Sequence, residues 1–350
     1  MDNNRRQFLL GCGVGALGAM TAPALAWAEN RLRVLGEPVD VERPGLGSQV
    51  SPDFQRWMGT VRVGQAAAHH SGLAVFWLST KEQAPALEVA TLDEARKSGA
   101  LLIAERDQAT VPELVVENRG KIHVLLLAGE ILIGGKQNRV LREDILLPPL
   151  SGPRPIGVFC VEQGRWNEGR MEFESKGSFA QPGLRSKLLE RPDQSRVWDS
   201  VARSTRAAEV PASPTGSYQA IYEDGKVQAH LSEVERGLPL RAPAPAHGAA
   251  VFAGASLLGL DLFHAPSLFG REWLKLLRAH AVEAYRRPAA PDTLEPKRRA
   301  QVEGLIAQAA KVEGSLRGNA GVGQIFEFRV AGSRGAALVF DGRPIHTAIL

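Results

Sequence analysis

The sequence KIHVLLLAGEILIGGKQNRVLREDILLPPLSGPRPIGVFCVEQGRW occupies residues 121–166 and decides the fold. Its apolar runs are short, rich in leucine and β-branched residues, and bounded by glycine, proline or charge, at 122–127, 131–133, 145–147 and 156–161. Such runs are typical of β-strands joined by tight turns. Strands joined by so little chain pair antiparallel, because a parallel pair needs a crossover of a dozen or more residues.

The helices are predicted by their end signals and their apolar spacing. Residues 91–99 place Thr91 as the N-cap, acids in the first turn, bases in the last and glycine just after. Apolar residues at helical spacing fill 182–236 and 267–286, with Ser267 as the expected N-cap of the second segment. A last helix is expected near 297–312, before a hairpin of 324–330 with 336–340. The predicted fold class is α+β, with mainly antiparallel β-hairpins forming a sheet assembly and helices packed on it.

A short pattern recurs at 124–134, 249–259 and 336–343. Each copy is interpreted as a strand, a tight turn at glycine and a returning strand. The turn of the first copy carries Glu130, where the second has Ala255 and the third Arg343. The turn itself does not need a carboxylate, so Glu130 is predicted to be spare to the fold and a candidate for function.

Composition and histidine spacing argue against a nucleic-acid partner and against a metal site. The 350 residues are 44% hydrophobic and 23% charged, as in a soluble globular protein. Lys and Arg number 42 against 38 Asp and Glu, and they are interspersed along the chain, so no nucleic-acid partner is expected. The eight histidines show no metal-ligand spacing such as HExxH, so no metal site is predicted.

The N-terminus resembles a twin-arginine signal peptide. Arg5 and Arg6 precede a Gly/Ala-rich apolar segment that ends in the small-x-small site Ala26-Trp27-Ala28. Glycines and a proline interrupt that segment, so it is not expected to be a permanent membrane anchor. Residues 1–28 are therefore interpreted as a signal read by the twin-arginine export machinery, and the mature protein as periplasmic or secreted. The rest is divided into an α+β domain, 29–286, and a C-terminal helix and hairpin, 287–350, packed on it.

Polar residues follow a Gly-Gly pair in the middle of the deciding stretch. Lys136 and Arg139 supply fixed positive charge, and Gln137 and Asn138 supply amide donors and acceptors. Such groups could bind the phosphate or carboxylate of a small anionic metabolite. The alternative interpretation is a solvated connection between two strands.

A second polar group ends the stretch. Cys160 and Glu162 are two residues apart in a strand pattern and therefore face the same side. The thiol could be a nucleophile with Glu162 as its base, or a small buried apolar side chain. Arg165 is a further candidate for binding an anion, and Trp166 is either an aromatic wall of the site or part of the core.

The two glutamates are predicted to form an acid/base pair. General acid and base catalysis uses two ionisable groups in different environments, and Glu130 and Glu162 fit that need. They are expected to share one pocket with the KQNR residues and Arg165. The alternative is that they form structural salt bridges to Arg139 or Arg165.

The segments GEILIGGKQNR and CVEQGRW carry a resemblance to a known family. Over about residues 61–285 the chain resembles the domain family associated with ADP-ribosylglycohydrolases and rhodanese-phosphatase proteins. The resemblance implies NAD-derived or ADP-ribose-like metabolites as the ligand class. The expected function is an exported enzyme, a hydrolase or lyase, acting on a small anionic, nucleotide- or ADP-ribose-like metabolite. The alternative is a non-catalytic periplasmic ligand-binding or assembly module.

Overall fold

The computed structural model describes residues 49–82, 87–105, 112–165, 172–211, 213–288 and 292–350. Residues 1–28, for which the signal peptide is predicted, lie outside these ranges. The helices are α1 (Pro52–Thr60), α2 (Leu92–Lys97), α3 (Pro182–Leu188), α4 (Gln194–Ala207), α5 (Gln219–Glu223), α6 (Gly225–Gly237), α7 (Pro266–Ala284) and α8 (Glu295–Ala309), with a 3-10 turn at Asp292–Leu294. None of the helices in the described ranges has the length and hydropathy that a membrane span requires.

The strands form three sheets. The strands are β1 (Val61–His70), β2 (Leu73–Thr80), β3 (Val89–Thr91), β4 (Leu101–Ala104), β5 (Glu113–Asn118), β6 (His123–Leu126), β7 (Glu130–Gly134), β8 (Arg139–Leu141), β9 (Ile145–Leu147), β10 (Gly152–Cys160), β11 (Phe173–Phe179), β12 (Gly248–Ala253), β13 (Ser256–Phe263), β14 (Gly314–Gly318), β15 (Gln324–Val330), β16 (Ser333–Phe340) and β17 (Arg343–Ile349). Their orders are β1-β2-β12-β13-β17-β16-β15-β14, β11-β7-β8-β10-β5-β4 and β3-β6-β9. Apart from the parallel pair β3 and β6, these neighbours pair antiparallel, so the predicted α+β class is confirmed.

The eight-stranded sheet is covered on both faces. Along β2 and β12, neighbouring side chains such as Val75 and Phe76 enter different cores, as the alternation of a strand requires. One face packs against α7, and the other against α1 and α8. The C-terminal strands β14 to β17 belong to this same sheet, with β17 paired to β13.

The helix start predicted from local sequence signals is confirmed at α2 and wrong at α7. At α2 the Thr91 side chain accepts from the Glu94 amide, and the Glu94 carboxylate accepts from the Thr91 amide, so the predicted N-terminus is confirmed. The expected N-cap Ser267 is wrong, because α7 begins at Pro266 after Ala265, and no side-chain cap bond is made. Proline at the first helical position needs no amide partner, which lets the helix begin one residue earlier.

The repeated pattern forms hairpins in two copies of three. The second copy is the hairpin β12 and β13, and the third is β16 and β17. In the first copy the predicted hairpin is wrong, because β6 pairs with β3 and β9 whereas β7 pairs with β8 and β11. The turn at Gly129 therefore passes the chain from the three-stranded sheet to the six-stranded one.

Candidate functional site

The structure brings the KQNR segment and the CVEQGRW segment together. Strand β8 pairs with the end of β10, with Arg139 opposite Cys160. The Val161 amide donates to the Asn138 carbonyl at 3.0 Å, which continues the pairing past Cys160. The side chains of Asn138 and Glu162 are thereby placed at adjoining strand ends.

Asn138 and Glu162, which are buried, form one hydrogen-bond network with the half-buried Arg165. The Glu162 Oε2 accepts from the Asn138 amide at 3.1 Å and from Arg165 Nε at 2.9 Å, and its Oε1 accepts from the Thr215 hydroxyl at 2.8 Å. Arg165 also donates to the Asn138 Oδ1 at 2.9 Å. Both oxygens of the carboxylate are thus used by this protein's own groups.

The charge state of Glu162 follows from these bonds. Burial raises its pKa, but hydrogen bonds from Arg165, Thr215 and the Asn138 amide outweigh burial and leave the pKa below the usual range. A carboxylate held ionised by three donors is a weak base. Its environment suits a structural anchor better than a proton acceptor.

The two glycines before KQNR are required by close packing. Gly134 has φ 132°, and a Cβ there would lie 2.4 Å from the Glu172 carbonyl oxygen. At Gly135, with φ 52°, a Cβ would lie 2.2 Å from the Phe173 ring. Arg165 donates to both glycine carbonyls, at 3.2 and 3.1 Å, so this loop wraps around the guanidinium.

Arg139 and Lys136 share a partner that the sequence did not reveal. Arg139 is 1% exposed and its guanidinium contacts Glu105 Oε1 at 3.3 Å. The Lys136 backbone amide donates to the same oxygen at 2.9 Å. The Gln137 side chain donates to the Gln163 carbonyl at 3.2 Å. KQNR is therefore largely an internal connector rather than a solvated loop.

Cys160 is buried in the structure and is not placed to act as a nucleophile. Its thiol is buried, and burial raises the pKa, an effect that the nearby Arg139 cation only partly opposes. Its backbone is bound by the Gln194 side chain, which accepts from the Cys160 amide at 2.9 Å and donates to its carbonyl at 2.8 Å. A thiol of raised pKa carries little thiolate, so the geometry favours the apolar interpretation.

Glu130 lies apart from this network. Glu130 is the first residue of β7, and Gly134, whose carbonyl accepts from Arg165, is the last. Four residues of strand separate these two positions by about 13 Å. Glu130 Oε1 contacts Lys275 Nζ at 2.5 Å, and Oε2 accepts from the Leu127 amide at 2.9 Å. The expected pairing of Glu130 with Glu162 is not found. The prediction that the fold does not need Glu130 is wrong, since its carboxylate accepts from the Leu127 amide and closes the turn.

Lys275 gathers three carboxylates around a fully buried ammonium. Besides Glu130 it contacts Asp93 at 2.9 Å and Glu272 at 3.1 Å. Burial raises the pKa of Glu130 to about 8, and the Glu272 and Asp93 charges add to that rise while Lys275 opposes it. Burial lowers the pKa of Lys275, but the three carboxylates outweigh burial and raise it well above its ordinary value. The pKa of Glu130 is therefore brought close to neutral pH, while Lys275 stays a cation.

A second buried ionic cluster lies on the other side of the Gly129 turn. His346 is held between two carboxylates, with Nδ1 2.6 Å from Asp144 and Nε2 3.1 Å from Asp261. Arg185 binds both oxygens of Asp261, at 3.0 and 2.6 Å. The Ala128 amide donates to Asp144 at 2.8 Å, so adjacent amides of one turn bind one carboxylate from each cluster.

The pKa values of this cluster are shifted by mutual contact. Burial lowers the pKa of His346, but Asp144 and Asp261 outweigh it and raise the pKa to about 9. Burial raises the pKa of Asp261, but Arg185, His280 and His346 outweigh it, so the pKa lies well below the usual range. At neutral pH His346 is therefore a cation between two anions.

This second cluster opens on a pocket, which we call the Arg142 pocket. Its cavity measures about 30 Å³, and its charged lining residues are Arg142, Glu143, Asp144, Arg185, Arg191, Arg317 and Glu327. Arg317 is paired with Glu143 at 2.6 Å and with Glu327 at 2.9 Å. Within the described ranges, no ion pair of Arg142 is found.

Several of these residues were not predicted from the sequence. Lys275 and His280 interrupt the apolar stripe of α7, and Asp261 and His346 interrupt apolar strands. A charged residue inside an apolar pattern is the signal that could have found them, because a buried charge requires a partner. Trp166, the remaining predicted site residue, lies outside the described residues. Across the ranges that the structure covers, no group of three or more His, Cys, Asp or Glu side chains could hold a metal ion.

Comparison with known proteins identifies a family. The model of the ARG and Rhodanese-Phosphatase-superfamily-associated Protein domain, ARPP-1, matches residues 60–350. The chain belongs to this family, and the match extends beyond the 61–285 of the sequence resemblance. No curated protein and no solved structure matches the chain.

Proposed function

We propose that this member of the ARPP-1 family is an exported protein that binds a small anionic ligand in the Arg142 pocket. The observation that carries the proposal is Arg142, a guanidinium on a pocket wall whose other cations are engaged with carboxylates. Guanidinium groups bind phosphate and carboxylate through two parallel hydrogen bonds. An incoming anion would supply the charge that Arg142 lacks among the described residues.

The buried cluster supports such a site by fixing its inner wall. Arg185 and Asp144 line the pocket and are tied to Asp261 and His346. Arg185 also lies 5.1 Å from the centre of the Phe179 ring, stacked over it. A pocket whose wall is already ordered loses little conformational entropy when a ligand binds.

A thermal-shift titration of the mature protein tests this proposal. The probes are inorganic phosphate, adenine nucleotides and ADP-ribose, of which the last represents the ligand class that the family name suggests. A ligand present at 100 times its Kd stabilises the folded state by about 2.7 kcal/mol. Arg142→Ala should abolish the shift, whereas Arg203→Ala, which removes an exposed arginine of α4, should leave it unchanged. Equal shifts in both variants would remove Arg142 from the proposal.

A second candidate is the enzyme, a hydrolase or lyase acting on the same class of metabolite. The observation that favours it is Glu130, a carboxyl group with a pKa of about 8 beside Lys275, because a group that titrates near neutral pH suits general acid or base catalysis. Turnover of any probe by the wild-type protein, lost in Glu130→Gln with ligand-induced stabilisation intact, would select the enzyme. Binding without turnover would select the binding module.

Export by the twin-arginine route is part of the proposal. Its support is the sequence of residues 1–28, with Arg5 and Arg6 before the Gly/Ala-rich apolar segment. Replacing both arginines by lysine preserves the charge but not the pair that the export machinery recognises. Retention of this variant in the cytoplasm is the expected result, and normal export of it would refute the twin-arginine route.

A further inference from the structure

A second concavity lies away from the Arg142 pocket, and we call it the Gln219 groove. It is formed by β11, α5, α6 and α7, and its cavity measures about 430 Å³. The groove and the Arg142 pocket share no lining residue within the described ranges. Its size falls in the range of small-molecule sites, which span about 300–1,000 Å³.

One wall of the groove is a β-bulge. The pairing of β11 with β7 shifts register between Ser175 and Phe179, and Gly177 has φ 70°. The Tyr222 hydroxyl donates to the Phe179 carbonyl at 2.6 Å and fixes the chain just past the bulge. Bulges re-aim side chains and occur often beside binding sites, and this one sets Lys176 and Ser178 on the groove wall.

The charges around the groove are already balanced. Lys176 lies 3.7 Å from Glu223, and Arg278 lies 2.5 Å from Glu235. Each cation on the groove wall therefore has an anionic partner beside it. A charged ligand would have to displace one of these partners, so the lining favours a ligand without net charge.

The remaining polar groups are amides and a hydroxyl. Gln219 is 6% exposed, and among the described residues its Oε1 has no hydrogen-bond partner. Gln228 is exposed, and its Nε2 donates to the Tyr222 carbonyl. Amides and hydroxyls donate and accept at once, as sugar hydroxyls do. An unpaired amide oxygen closed to solvent is costly, and a ligand hydroxyl would satisfy it once the Gln219 amide turns toward the groove.

We propose that the Gln219 groove is a second binding site of this protein, and that its ligand is a neutral polyhydroxylated molecule such as a sugar ring. Gln219 and Gln228 bind the ligand hydroxyls, and the Lys176–Glu223 and Arg278–Glu235 pairs offer further donors and acceptors without net charge. The site is independent of the anion site, since neither its lining nor its ligand chemistry is shared.

Calorimetric titration of the mature full-length protein tests the proposal, with glucose and N-acetylglucosamine as the probes. Saturable binding with a Kd in the millimolar range or tighter is expected, and the Kd should be the same at low and high salt, because no net charge is neutralised. Inorganic phosphate should not displace either sugar. Absence of saturable binding for both sugars, or displacement by phosphate, would overturn the proposal.

Variants locate the binding in the groove. Gln219→Ala should weaken sugar binding at least about tenfold, since it removes a buried hydrogen-bond partner. Gln228→Ala, at an exposed position that tolerates truncation, should weaken it several-fold, and it decides the outcome if Gln219→Ala does not fold. Gln301→Ala, an exposed glutamine of α8, is the matched control and should bind as the wild type does. Wild-type affinity in folded groove variants would overturn the assignment.

Discussion

The pH dependence of stability should change when Glu130 is replaced by glutamine. The carboxyl group ionises near its ordinary value of 4.5 in the unfolded chain and near 8 in the folded protein. Because the folded pKa is raised, the Glu130 contribution is fully present below pH 4.5 and is lost as pH rises through 8. A glutamine side chain cannot ionise, so the Glu130→Gln variant lacks this loss.

The magnitude follows from the two pKa values. Each pH unit between them costs the folded state about 1.4 kcal/mol, and the two titrations together give a loss of about 4 kcal/mol between pH 5 and pH 9. Both Glu130 oxygens accept hydrogen bonds, so the NH2 group of glutamine would face the Leu127 amide or Lys275, and Glu130→Gln should be less stable than wild type at pH 5 by about 1–3 kcal/mol. Between pH 5 and pH 9 the stability of the variant relative to wild type should then rise by about 4 kcal/mol, while Lys275 keeps Asp93 and Glu272 as partners.

The assay is urea unfolding followed by circular dichroism at pH 5, 7 and 9. The control is Glu303→Gln at an exposed position of α8, whose free energy of unfolding should run parallel to that of the wild type. If the curves of Glu130→Gln and wild type are parallel across this range, Glu130 is ionised throughout. The charge assignment of the Lys275 cluster would then be refuted.

Three further predictions concern the same buried features. His346→Asn should remove a stabilisation of about 3 kcal/mol, because the pKa of His346 is raised to about 9 in the folded protein. Wild type has this stabilisation below pH 6.5 and loses it as pH rises through 9, so the free energies of unfolding of variant and wild type should differ more at pH 6 than at pH 10. Gly129→Ala should destabilise the folded protein by about 1–3 kcal/mol, since φ is 101° and the new Cβ would lie 2.9 Å from Arg185 Cγ. Thermal unfolding measures the loss, and an unchanged Tm would contradict this packing. Cys160 should resist alkylation by iodoacetamide at pH 7 until urea unfolds the protein, and rapid labelling of the native state would contradict its burial.

The fold was predictable where the determining interactions are local. The capping box of Thr91 and Glu94 and the hairpins at Gly254 and Gly342 involve residues close in sequence, and the pattern identifies them. The strands around Gly129 were also placed correctly, but not their partners. Whether two successive strands pair depends on which remote strands compete for their edges, and β3, β9, β8 and β11 occupy those edges here.

The site was predictable only in part, for the same reason. The meeting of KQNR with CVEQGRW follows from strands close in sequence, as expected from the hairpin geometry. Glu130 and Lys275 are 145 residues apart, and His346 and Asp144 are 202 apart, so no local pattern connects them. The sequence showed that Glu130 was unnecessary for a generic turn, but not that a distant lysine required it.

The GE segment is explained by the two clusters that meet at the Gly129 turn. The Leu127 amide binds Glu130, which holds Lys275 of α7, and the Ala128 amide binds Asp144, which holds His346 of β17. One turn therefore fixes α7 and the eight-stranded sheet against the six-stranded one. The GE residues therefore have an architectural role, as KQNR has in its own network with Glu105 and Glu162. The chemistry of a ligand is then to be sought on the pocket walls, at positions such as Arg142, which that architecture only supports.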